Sequence, residues 1–141
     1  MNNTRELRSE LLVILDERIK KAGIEQLSKD ELTFWAASYS LGLIRNEGLH
    51  GFLFWFDDIL TRDMSVAAFF DIEVEDMAIA VANAGNLLLE YLENKTDDEV
   101  SAAGFRKDYE QQLDNFEKEI APLKSVVEDR LVALAEKVSS G

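Results

Sequence analysis

An all-α domain of six or seven helices in a single bundle is what this sequence predicts, on three observations. Apolar residues recur at intervals of three and four along most of the chain, one proline and seven glycines leave few interruptions, and no stretch alternates apolar with polar residues as a half-buried strand would. With 141 residues, no internal repeat and no Gly/Ser linker, the chain reads as one domain, residues 1–141, able to bury its own core.

Asn3 or Thr4 can cap a first helix to about Ala22, with Leu7, Leu11, Ile14 and Leu15 on its inner face and Gly23 as its stop. Ser28-Lys29-Asp30-Glu31 is a capping box that opens a second helix. Leu32, Trp35, Ala36, Tyr39 and Leu43 form one face of it, Phe34, Ala37, Leu41 and Ile44 another, which makes this helix central. It is expected to end near Asn46-Glu47-Gly48, followed by a tight turn and a short helix from about His50 to Asp58. The Phe52-Leu53-Phe54-Trp55-Phe56 block there is a packing centre or a contact surface.

Thr61 or Asp63 can cap another short helix through Phe69-Phe70. Asp71 to Asp76 reads as a loop leading to a cap. From about Glu75 to Asn94, Met77, Ala80, Val81, Ala84, Leu87, Leu88 and Tyr91 keep helical spacing, and Ala78, Ala82 and Gly85 give a small-residue face for close packing. Lys95 to Gly104 is expected to be a solvated loop. Helix returns at Phe105 with Tyr109, Leu113, Phe116 and Ile120, and Pro122 marks the junction with a last helix carrying Leu123, Val127, Leu131, Leu134 and Val138. Val126, Val127, Leu131 and Leu134 can alternatively belong to a dimer seam.

Charge is the informative part of the composition. Fifteen basic and 28 acidic residues give a net −13. Residues 1–48 net −1 and residues 105–141 net −2, whereas residues 49–104 set only Arg62 and Lys95 against twelve acids, net −10. Such a segment repels nucleic acid and anionic lipid and attracts a basic partner. The absence of cysteine excludes disulfides, thiolate metal sites and thiol nucleophiles, and fits the cytoplasm. Arg5 and Arg8 precede an apolar run of only five residues, Leu11 to Leu15, so no export signal and no membrane span are expected.

Candidate chemistry is incomplete. Glu47-x-x-His50 matches half of a carboxylate-bridged di-metal motif, but such sites need two of these elements and this chain has one histidine. A structural role for His50, capping or hydrogen bonding near the turn, is expected instead. Adjacent residues such as Asp57 and Asp58 point about 100° apart on a helix and do not share a site. Neither they with Asp63 nor the Asp97-Asp98-Glu99 run has calcium-loop spacing, and no phosphate-cradling glycine loop or nucleophile elbow occurs. No cofactor is expected.

Leu32 to Phe56, including F-W-A-A-S-Y-S-L-G-L-I-R-N-E-G-L-H-G-F-L-F-W-F, resembles a segment of small all-helical bacterial DNA-mimic proteins. There, a helix of the type Y-A-x-Y-x-L-x-x-E-V runs into N-G-G-F-x-Q-F-F-x-N. Asn46, Gly48, His50, Phe52 or Leu53, and Phe54 fall near those positions. Met77–Leu89 is similar to the family's alanine-rich helix, and Leu113-Asp114-Asn115-Phe116 to its closing L-D-x-x-F element. The chain departs from the pattern in its second turn glycine, displaced to Gly51 or absent, and in Asp57, which stands where the family has asparagine.

The resemblance implies a dimer whose surface carboxylates occupy the places of DNA phosphates and sequester a DNA-binding protein. The candidates for that surface are Asp57, Asp58, Asp63, Asp71, Glu73, Glu75, Asp76, Glu90, Glu93, Asp97, Asp98 and Glu99, with Glu73/Asp76, Glu90/Glu93 and, if the helix extends that far, Glu93/Asp97 as helical pairs. The expectation is a non-enzymatic acidic protein that binds a basic regulator. Two alternatives are an immunity or antitoxin protein blocking a basic nuclease, and a small metal enzyme using Glu47 and His50.

Overall fold

The second helix, α2 (Lys29–Phe54), organises the bundle, packing against every other α-helix among the described residues. In the computed structural model, which describes residues 3–55 and 60–140, its companions are α1 (Asn3–Ala22), α3 (Arg62–Asp71), α4 (Glu75–Glu93), α5 (Ala102–Asp108), α6 (Glu110–Ile120) and α7 (Leu123–Ser140). Single 3-10 turns at Ile24–Gln26 and Asp97–Glu99 complete the order, and no strand occurs among the described residues. The described residues form an all-α bundle of seven helices. α1 and α7 lie side by side on one flank of α2, and α3 and α4 pair on another. Buried apolar residues from α1 to α7 form one core cluster.

The start of α2 follows its sequence. Ser28 Oγ accepts from the Glu31 backbone N–H at 3.2 Å, and Glu31 Oε1 accepts from the Ser28 N–H at 2.8 Å. Glu31 also takes a hydrogen bond from Arg18 of α1 at 2.7 Å. That bond, more than any other contact, holds its carboxyl below the usual range. From Thr33 to Ser38 every residue is buried, as expected of a helix with neighbours on several sides.

The predicted turn at Gly48 is present as a break inside α2. Gly48 adopts φ 73°, ψ 170°, in a region that side chains with a Cβ disfavour, and the helix resumes at Leu49. Resumption leaves the Leu49 N–H without an intrahelical partner, and Glu117 of α6 supplies one, its Oε1 accepting at 2.6 Å. A carboxylate here also faces the positive end of the new helical segment. The turn is therefore fixed by a residue distant in sequence.

Beyond the turn, the aromatic block divides. Phe52 and Leu53 are buried, Phe54 is half-buried and Trp55 is 56% exposed, while Phe56 lies outside the described residues. Packing centre and exposed surface thus occur within four residues. Phe54 joins Tyr91, Phe105 and Tyr109 in a ring cluster with centroids 5.5–6.4 Å apart, which ties α2 to α4, α5 and α6.

Other expectations need correction. Ile14, assigned to the inner face of α1, is 52% exposed, and Ile19 is buried instead, because the core stripe runs Leu11, Leu15, Ile19 at i, i+4, i+8. The Lys95–Gly104 stretch is less irregular than expected. Thr96 and Glu99 form a capping box around one 3-10 turn, and Ser101 Oγ accepts from the Gly104 N–H to open α5 already at Ala102. Tyr109, at φ −123°, separates α5 from α6, a break without a sequence signal, whereas Pro122 stands at the α6–α7 junction as read. Val127 and Leu131 are fully buried within the bundle, so the proposed dimer seam loses both; Val126, at 38%, is its exposed member.

Removing the distant cap tests this arrangement. Glu117→Ala should destabilise the fold by about 1–3 kcal/mol in denaturant titration, and Glu117→Gln, which keeps an acceptor, by less than that. Equal stability of wild type and alanine variant would show that the Gly48 turn does not need the carboxylate.

Candidate partner-binding surface

The carboxylates singled out from sequence sort into two groups at opposite ends of α4. Asp71 closes α3, Glu73 lies in the connection, and Glu75 and Asp76 occupy the first turn of α4. Glu90 and Glu93 occupy its last turn, with Asp97, Asp98 and Glu99 in the following 3-10 turn. Asp63 sits in the first turn of α3. All ten of these are exposed; Asp57 and Asp58 lie outside the described residues. The outward stripe of α4 runs Asp76, Ile79, Asn83, Asn86, Glu90, Glu93 at alternating spacings of three and four, all exposed. Asp76 and Glu90 are therefore separated along the axis by about 21 Å, with neutral side chains between.

Two of the three expected helical pairs are not formed. Glu73 precedes α4 and has φ 64°, so it does not share a helical face with Asp76. α4 stops at Glu93, so Asp97 is not its i+4 neighbour on one helix. Glu90 and Glu93 remain a true i, i+3 pair.

The N-terminal group faces cations of its own chain. Asp71 and Glu73 line a cleft of about 470 Å³ together with Lys29, Arg130 and Lys137. Asp71 also accepts from the Thr33 hydroxyl at 3.4 Å, and Lys137 pairs with Asp30 at 3.2 Å. Glu73 itself closes α3 in a Schellman arrangement: its N–H donates to the Phe70 carbonyl and the Val74 N–H to that of Phe69, each at 2.9 Å, with Val74 and Phe69 both buried. Glycine is the usual residue at that left-handed position, so glutamate is held there at a cost of about 1–2 kcal/mol.

The C-terminal group is freer of internal cations. Lys95 is held by Asp108 at 3.3 Å and lies over the Tyr91 ring. Glu99 is committed to structure: the Thr96 backbone N–H, at 3.0 Å, is the main reason its carboxyl stays below the usual range, with the Thr96 hydroxyl adding to it. The acidic turn is anchored by Tyr91, whose buried phenol donates to the Glu99 carbonyl at 3.3 Å and accepts from the Ser101 N–H at 3.2 Å. Gly104 is needed beside it, since a Cβ there would sit 2.5 Å from the Tyr91 oxygen.

Around the turn in α2, His50 is half-buried, and burial is the largest influence lowering its pKa, followed by Arg106; Glu117 and Glu47 oppose them. Its buried Nδ1 has no hydrogen-bond partner among the described residues, contrary to the bond expected at this turn. Gly48 interrupts the helix between Glu47 and His50, so the two do not share a continuous helical face. Among the described residues no three His, Asp or Glu side chains converge as metal ligands.

Sequence reasoning missed a different feature. Leu89 and Leu92 are 48% and 39% exposed on α4, each directly before an acid, Glu90 and Glu93. The sequence signal was their place one step off the core stripe marked by Leu88 and Tyr91.

The fold and this surface define a class: a small acidic helical protein with exposed carboxylates grouped at the two ends of one core helix. The chain matches the model of the DMP19-like protein family over residues 25–138 and belongs to that family. No curated protein and no solved structure matches it. The match covers α2 through most of α7, so the Gly48 turn and both acidic groups lie inside it.

The left-handed glutamate gives a direct test. Glu73→Gly should stabilise the protein by about 1 kcal/mol, seen as a rise in the thermal midpoint of roughly 2–4 °C. An unchanged or lower midpoint would mean that the backbone at this position is not strained.

Proposed function

We propose that this protein is a non-enzymatic, cytoplasmic interaction protein that binds a basic DNA-binding protein, its carboxylates taking the places of DNA phosphates. The observation that carries the reading is the exposure of every described acid between Asp63 and Glu99, in a segment whose two cations are Arg62 and the Asp108-held Lys95. This excess of exposed carboxylates favours a basic partner and disfavours nucleic acid or an anionic membrane. No helix among the described residues is long and apolar enough to cross a membrane. Membership of the DMP19-like family and the resemblance of the Asn46–Phe54 segment to DNA-mimic proteins support the same role.

Spacing refines it. Two acidic groups about 21 Å apart along α4 are not one continuous row, so they match phosphates on separated stretches of backbone better than consecutive phosphates of one strand. A partner that reads a duplex from one side touches backbone at such separated points.

The test uses the partner captured from a lysate of the source cells on the immobilised chain. Replacing Glu93, Asp97 and Asp98 by their amides should weaken binding roughly tenfold at low salt and flatten the fall of affinity with salt. Replacing Glu75 and Asp76 should act in the same direction. Unaltered affinity and salt dependence in both variants would reduce the acidic ends of α4 to a solvated surface.

A further inference from the structure

An aliphatic groove borders the C-terminal acidic group. Leu53 and Phe54 of α2 and Leu88, Leu89 and Leu92 of α4 line about 480 Å³ of open space, with Arg62 and Asp63 at its other wall. The Arg62 side chain packs directly over Gly85, where a Cβ would meet its Cδ and Nη1 at 2.5 Å. Leu89 and Leu92, at i and i+3, form an apolar lane, and Glu90 and Glu93, one residue on, form an acidic lane about 100° around the helix. No basic residue occupies the last turn of α4, where the helix dipole presents its negative end.

DNA mimicry alone gives no reason for the apolar lane, because a phosphate backbone has no aliphatic counterpart. We propose that this groove seats an amphipathic basic helix of the partner, its apolar side chains on Leu89 and Leu92 and its lysines or arginines on Glu90, Glu93 and the acidic turn that follows. Charge complementarity selects this occupant over a second copy seated groove to groove, which would set the Glu90 and Glu93 rims face to face. Helix-in-groove docking reads its target by anchors at i, i+3, i+4 and i+7, which matches the two-lane layout. The inference rests on the reading that the partner is basic, and adds that the contact is part apolar.

The experiment titrates the full chain calorimetrically with two synthetic helical peptides of roughly 18 residues, about five turns, equal in charge. One carries leucines on one face and lysines on the other; in its control, alanines replace the leucines. The leucine peptide should bind about tenfold more tightly than the control. Leu89→Gln with Leu92→Gln, both at exposed positions, should erase that advantage and leave the control's affinity unchanged, while Glu90→Gln with Glu93→Gln should weaken both peptides. Equal affinity of the two peptides for the wild type, or an advantage that survives the leucine substitutions, overturns the groove and leaves the acidic reading standing. Failure of both peptides to bind overturns the two together. Sedimentation of the free chain closes the remaining route: a dimer that the leucine substitutions dissociate would make a second copy the occupant and also overturn the proposal.

Discussion

The hydrogen bond from the Leu49 N–H to the Glu117 carboxylate is the contact on which the rest of this structure depends. A left-handed glycine breaks α2 one residue earlier, and a break in a buried helix is tolerable only if the freed backbone donor is satisfied. With Glu117 in place, the chain re-enters helix at an altered angle, and Phe52 and Leu53 enter the core. Phe54 then meets Tyr91 and Phe105 in the aromatic cluster. Tyr91 in turn pins the Glu99 carbonyl and the Ser101 N–H, so the path from the Gly48 turn to the acidic turn at Asp97–Glu99 runs through packed rings and hydrogen bonds. The stretch with the oddest composition is thus the anchor, and the charged surface is what it positions.

The electrostatics of that surface are uneven. At the start of α4 the acids share a cleft with Lys29, Arg130 and Lys137, which lowers their net field, and beyond its end Lys95 is already held by Asp108. Glu99 is further occupied by its own cap. The carboxylates with the fewest internal commitments are therefore Glu93, Asp97 and Asp98, next to the exposed leucines, whereas Glu90 accepts a hydrogen bond from the Tyr109 hydroxyl. In the proposed complex, charge would set the approach of the basic partner, and aliphatic contact would add affinity that salt does not screen.

Local signals carried well from sequence to structure. The Ser28 capping box, the Thr61 cap of α3, the stop at Gly23, the break at Gly48 and the junction at Pro122 each have a chemical cause within a few residues, and each appears where its residues place it. What was not legible depended on distant partners or on backbone angles. Nothing near Gly48 announces Glu117, and nothing in the Asp71–Asp76 run shows that Glu73 takes φ 64° and leaves the helical face it was assigned to. Val127 and Leu131 looked equally suited to a seam or a core; only the packing of α7 against α1 and α2 decides for the core. For the surface, exposure of the acids was readable from composition, but their division into two groups required the end of α4 to be fixed.

Competition with DNA tests the central claim most directly. If the acidic surface occupies the DNA-binding face of a basic partner, the partner captured on the immobilised chain should be released by duplex DNA in proportion to its concentration, and excess free chain should strip that partner from DNA. Capture that persists in saturating duplex, or a ternary complex of chain, partner and DNA, would contradict the account, because the two ligands would then occupy different sites.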